Sequence, residues 1–189
     1  EGNNYSEEWL QEAEKRGLLN LRKSPEALHE LTLEPAKKML TGLKVFSKEE
    51  LNARFHVRME RYVKDLQIEL DTLKLMVDTQ ILPTCFAYLS DLGKGALRMK
   101  AAGVGVIPQE APLKQAAQLV TELQKKRAQL DDVEQRIAKT DDFDKKAKIF
   151  ATDGTSAFNS VRAVCDQLEG IVDDQYWPLP KYREMLFIT

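Results

Sequence analysis

Apolar residues recur at alternating steps of three and four along Leu51, Phe55, Met59, Tyr62, Leu66, Leu70, Leu73, Val77 and Ile81. One continuous apolar stripe on a helix has this spacing. The start is marked chemically: Ser47 caps, Glu50 three residues on reaches back to complete a capping box, and Phe46 with Leu51 forms a hydrophobic staple. Pro83 removes a backbone donor and clashes one turn back, so the helix kinks or stops near Thr79. Phe86, Leu89 and Leu92 resume the spacing, which favours a kink followed by more helix. At about 1.5 Å per residue, the part before the proline alone spans roughly 50 Å.

The same logic punctuates the flanks. Ser6, Glu7 and Glu8 open a short helix that Lys15, Arg16 and Gly17 close. Ser24, Pro25 and Glu26 predict a cap and first turn, interrupted at Glu34 and Pro35, with Gly42 as a left-handed stop after Thr41. Gly103, Gly105, Pro108 and Pro112 mark a loop. From Leu113, a stripe through Ala116, Val120, Leu123, Leu130, Val133 and Ile137 predicts a second long helix. After the acidic turn at Thr140 to Asp142, a third runs through Ala147, Phe150, Phe158, Val161, Cys165, Leu168 and Val172. Gly154 leaves two readings of it, a break between two helices or one rod weakened by about 1 kcal/mol.

No stretch reads as a strand. Short links between long amphipathic segments predict an all-α fold: an elongated antiparallel helical bundle with long coiled-coil-like helices, short N-terminal helices and an extended C-terminal tail. The expected layout is a short-helix connector over 1–46 and a long-helix bundle over 47–173, its arms at 47–102, 113–139 and 142–173, followed by an aromatic and proline tail over 174–189. In the tail, Pro178 and Pro180 hold Trp177 and Leu179 extended, and Tyr182, Leu186 and Phe187 add apolar bulk. Such a segment docks against something; a proline-rich recognition peptide is the other reading, weak on one isolated Pro-Leu-Pro.

Composition narrows the function classes. The 189 residues are 43% hydrophobic, enough for a substantial core, and 28 basic against 30 acidic residues leave a net charge of -2. That balance argues against a nucleic-acid binder held by a basic field. No apolar run approaches a membrane span, and no signal-peptide pattern opens the chain. The two cysteines, Cys85 and Cys165, lack ligand-type spacing and fit a reducing compartment. The start without methionine is read as a processed chain or a piece of a longer one.

Candidate chemistry is sparse. His29 and His56 have no acidic or cysteine partner at a metal-ligand spacing, and Cys85 and Cys165 sit on apolar faces as small hydrophobes. The glycines at 93–95 and 103–105 lack the spacing and preceding strand of a phosphate loop. Arg54, Arg58 and Arg61 share a helical face and form a candidate interaction stripe for a carboxylate or phosphate. Glu50 and Asp65, each four residues from one of these arginines, supply local pairs, as do Glu60 with Lys64, Glu122 with Lys126 and Asp142 with Lys146. No catalytic, cofactor-binding or metal-binding residue is assigned, and an interaction or structural module is the expected class.

Separated motifs then point further. NNYSEEWLQEAEKRGLLNL at the start, VFSKEELNARF at the central helix, ILP before its proline, and DQLEGIVDDQYWPLPKYREMLF at the close together resemble the C-terminal region of type III glutamine synthetases. The resemblance spans nearly the whole chain; 104–151 carries little recognisable pattern, and Lys181 with the Arg183, Glu184, Met185 run departs from it. It implies a parent enzyme that joins ammonia to glutamate with ATP and divalent metal (Mg or Mn), in a cytoplasmic homo-oligomer of stacked hexameric rings. It also places the metal and nucleotide sites before this region, so the chain alone is expected to be inactive. The implied partners are the catalytic domain of the same polypeptide and neighbouring subunits, with no nucleic acid and no membrane. A free-standing coiled-coil adaptor that binds partner helices is the competing expectation.

Overall fold

The computed structural model describes residues 6–186, with the backbone alone at 182 and 183. The described residues are all-α: α1 (Glu7–Lys15), α2 (Ser24–His29), a 3-10 turn at Glu30–Thr32, α3 (Glu34–Gly42), α4 (Lys48–Met76), α5 (Leu82–Ala101), α6 (Glu110–Ala138), α7 (Phe143–Ile149), α8 (Thr155–Glu169) and α9 (Tyr182–Leu186). One π turn, Val77–Ile81, joins α4 to α5, and another, Phe150–Gly154, joins α7 to α8. Among the described residues no strand occurs, and no helix is long and apolar enough to cross a membrane.

Helix starts follow local chemistry. Ser6 Oγ accepts from Trp9 N at 3.3 Å, opening α1. At α4 the capping box closes in both directions: Ser47 N donates to Glu50 Oε2 at 2.7 Å and Glu50 N to Ser47 Oγ at 3.1 Å. Asp142 Oδ1 accepts from the backbone N of Asp144 and Lys145, starting α7. Two starts differ from expectation. Ser24 is already helical, after Lys23 as a cap residue without a side-chain bond. α6 begins at Glu110, because a proline in the first turn, here Pro112, loses no hydrogen bond.

Three helices stop by one device. Leu18 N bonds Ala13 O and Gly17 N bonds Glu14 O after α1; Val45 N with Leu40 O and Lys44 N with Thr41 O repeat it after α3; Val104 N with Met99 O and Gly103 N with Lys100 O repeat it after α5. The residue at the reversal takes positive φ in each: Gly17 at 71°, Lys44 at 57° and Gly103 at 76°. The left-handed stop of α3 therefore falls on Lys44, and Gly42 stays helical. A side chain in that conformation costs about 1–2 kcal/mol, which the two terminal hydrogen bonds offset.

The helix passes Pro83 without ending. Leu82 N reaches back five residues to Val77 O, and Thr79 Oγ1 donates to Leu75 O at 2.6 Å. The cause is legible in the stripe: Leu73, Val77, Ile81, Cys85 and Leu89 are spaced by four every time. Four such steps hold about one and a half residues more than four α turns, and a π turn absorbs roughly one. Beyond it, Leu82, Cys85 and Ala96 are buried while Phe86 is exposed, so Phe86 leaves the expected stripe. Gly154 lies inside the second π turn and does not break the helix.

The chain forms two compact units. The first comprises the residues up to Lys64 with Asp142–Ala151; the second comprises Asp65–Asp141 with the residues from Thr152 on. In the first, α2 packs on α7, and the His29 ring lies 5.1 Å from that of Phe55 and 3.6 Å from Asp144 Oδ2. In the second, α6 packs on α5 and α8. Leu70, Leu123, Leu130 and Leu168 are fully buried there, each contributing about 1.5–3 kcal/mol. Lys74 pairs with Asp131 and Glu134 while Asp78, four residues later, pairs with Arg127, so α4 and α6 run antiparallel.

Candidate interaction surfaces

After α8 the chain turns at Asp173, whose carbonyl accepts from Tyr176 N at 2.9 Å and Trp177 N at 3.1 Å, and whose Oδ1 accepts from Gln175 N at 2.8 Å. That turn sends Trp177 inward, to 9% exposure. Its indole N–H is buried and finds no hydrogen-bond partner among the described residues, so the ring serves as an apolar body. Pro178 and Pro180 stay exposed on either side of half-buried Leu179. The Tyr176 ring packs at a tilt of 59° against that of Tyr88, 5.9 Å between centres, and burial, then the nearby Asp91 and Asp173 carboxylates, push its hydroxyl above the usual range.

Lys181 ties the tail down. Its Nζ donates to Glu169 O at 3.0 Å and Val172 O at 3.4 Å, and pairs with Asp174 Oδ1 at 2.6 Å. A cation thus sits on the carbonyl end of α8, where the helix dipole favours it. Sequence alone treats this lysine as a departure from pattern; only a fold that returns the chain twelve residues later to Glu169 reveals the role. Lys181 N also donates to Glu184 Oε2, capping α9. Leu186 is 76% exposed. The Tyr182 side chain and Phe187 lie outside the described residues.

Arg54, Arg58 and Arg61 are exposed on α4. Arg54 and Arg58 flank a hollow of ≈ 340 Å³ with Glu50, Ala53 and Val57, and Arg61 does not line it. The Arg54 guanidinium lies 4.4 Å from the centre of the Phe46 ring, while Glu50, expected as its ion-pair partner, accepts from Ser47 N. Glu60 and Lys64 pair at 2.6 Å. Asp142 caps α7, and Lys146 lies over the Phe143 ring.

The densest charge cluster joins α6 to α4 and the first π turn. Arg127 donates Nε to Asp78 Oδ1 at 2.9 Å and Nη2 to Asp78 Oδ2 at 2.7 Å, and its Nη1 lies 2.7 Å from Asp131 Oδ1. Lys74 reaches Asp131 at 2.8 Å and also Glu134. The bonds from Arg127 and then Lys74 hold Asp131 below the usual carboxylate range. Burial alone would lower Lys74, but Asp131 and Glu134 outweigh it and raise the amine. Burial pushes the Cys85 thiol up to about 11; burial, with Asp166 and Cys85, pushes Cys165 up to about 12, which leaves both protonated and unreactive at neutral pH. Among the described residues, no group of three or more His, Cys, Asp and Glu side chains is arranged to hold a metal.

Comparison with known proteins bears on what these surfaces serve. Residues 1–100 match the family model of the glutamine synthetase C-terminal domain. The chain is 32% identical over 193 aligned positions to a glutamine synthetase of Bacteroides fragilis (strain YCH46), covering 99% of this chain and 26% of that protein. It is 31% identical to a type-3 glutamine synthetase of Dictyostelium discoideum, covering 99% and 26%. A glutamine synthetase of Butyrivibrio fibrisolvens is 28% identical, covering 98% and 27%. The chain thus spans about a quarter of the length of these relatives.

Proposed function

The chain belongs to the glutamine synthetase C-terminal domain family, and from that premise we propose that it is the non-catalytic helical domain of a type III glutamine synthetase, bracing the rest of the enzyme. The observation that carries this is the alignment of nearly the whole chain with about a quarter of much longer enzymes. The charged network supports a mechanical role: Lys74, Asp78, Arg127 and Asp131 use their charges on one another across two helices, which stiffens the second unit.

In this reading the parent reaction is ATP-dependent ligation of ammonia to glutamate in the cytoplasm. In this proposal ATP and Mg or Mn are held by the remainder of the polypeptide; among the described residues no cluster of His, Cys, Asp and Glu side chains is arranged to hold a metal. Its partners are the catalytic domain of the same chain and neighbouring subunits of a homo-oligomer. Buried Trp177 anchors the tail, while exposed Pro178, Pro180 and Leu186, like the Arg54, Arg58 and Arg61 stripe, face a neighbouring part of the assembly. Two measurements test the proposal: ATP-dependent glutamine formation by the isolated chain, and sedimentation of the full-length enzyme with and without this domain. No turnover by the chain and a smaller particle on deletion are expected. Turnover by the chain, or unchanged assembly, overturns the proposal.

A further inference from the structure

Between α4 and α8 in the second unit lies a groove of ≈ 500 Å³. Its floor is apolar: Leu73 and Met76 from α4, Phe158 and Cys165 from α8, Trp177 and Leu179 from the tail. Its α4 wall runs from Glu69 through the π turn to Ile81, about 18 Å at helical rise, and its α8 wall from Phe158 to Glu169, about 16 Å. α4 is antiparallel to α6, and α8, which packs on α6 and follows directly from Asp153 paired with Arg136 near the end of α6, is antiparallel to it too, so the two walls run in one direction. An open trough about three turns long between two parallel helices is shaped for the side-chain row of another helix.

The rim selects among helices. Glu69, Asp166 and Glu169 line it, opposed by Arg162, whose Nε lies 3.6 Å from Asp166 Oδ2. Acidic charge is left in excess. A phosphate-bearing ligand, a nucleic acid or an anionic lipid surface is repelled by that rim. An apolar row flanked by lysine or arginine is attracted at its edges while its centre is desolvated. The geometry points to this groove as the docking site for a basic amphipathic helix of a protein partner, its apolar row on Trp177 and Phe158 and its basic flank on Glu69 and Glu169. The inference rests on the groove alone and stands independently of the parent enzyme's identity.

Trp177 is the reporter. With Trp9→Phe in the intact 189-residue chain, it is the remaining one of 2 tryptophans. The probes are a synthetic amphipathic helical peptide of leucine and lysine and its counterpart of leucine and glutamate with the same apolar pattern. The lysine peptide is expected to shift Trp177 emission saturably at micromolar concentration, and the glutamate peptide is not. Glu69→Lys with Glu169→Lys should weaken the lysine peptide about tenfold and reverse the preference. Circular dichroism confirms that this double variant keeps its helices; Glu69→Gln with Glu169→Gln, which should abolish the preference without reversing it, replaces it if it does not. Absence of saturable binding, equal binding of both peptides, or binding indifferent to the rim variants overturns the inference.

Discussion

The two π turns use one device in different surroundings. Each carries an aspartate gripped by an arginine of α6: Asp78 by Arg127 in the first, Asp153 by Arg136 in the second. Arg127 is 16% exposed, holds Asp78 through both carboxylate oxygens and shares Asp131 with Lys74. Arg136 and Asp153 meet at 2.6 Å but are 54% and 47% exposed. The apolar anchors differ inversely: fully buried Phe150 opens the second turn, and smaller Val77, also fully buried, opens the first. Ion-pair distance alone does not rank these contacts; shielding from water and the number of shared partners do.

The anchors give the largest expected difference. Phe150→Ala should cost about 3–5 kcal/mol in denaturant unfolding, because a large buried ring leaves a cavity. Val77→Ala should cost about 2 kcal/mol. Equal losses would remove the distinction between the turns. The clamps come next. Arg127→Met should cost roughly 1–3 kcal/mol, the worth of charged hydrogen bonds partly shielded from water, and Arg136→Met less than about 1 kcal/mol. Unfolding in 1 M salt should erase the Arg136 effect and leave most of the Arg127 effect; equal salt sensitivity of the two variants counts against the contrast.

The smallest effect is a slope against pH. The folded pKa of Asp131 is depressed by Arg127 and Lys74. Its contribution is therefore fully present above the unfolded carboxylate value of about 3.9 and is lost as pH falls through the lower folded value. Asp131→Asn should flatten the acid limb of the stability curve below about pH 4. An unchanged limb would show that the network does not bias this titration.

Much of the fold is local and therefore legible. The caps at Ser6, Ser47 and Asp142 and the stops at Gly17 and Gly103 follow from side chains within a few residues of each end. The first π turn is also written in the stripe, as the run of fours from Leu73 to Leu89, but a reading that tolerates threes and fours alike passes over it and leaves Phe86 on the core face. The stop at Lys44 carries no such signal, because nothing in a lysine announces positive φ.

What the sequence by itself determined is the all-α class, the helix starts that a side chain caps and most of the apolar faces, since hydrogen bonding and side-chain period act over a turn or two. Only the tertiary structure decided what charges and edges meet. Arg127 reaches Asp78 across 49 residues, Lys181 settles on the carbonyl end of α8, and α4 and α8 leave an acidic-rimmed groove between them. Such contacts depend on how helices lie together, and each partner alone reads as ordinary solvated surface.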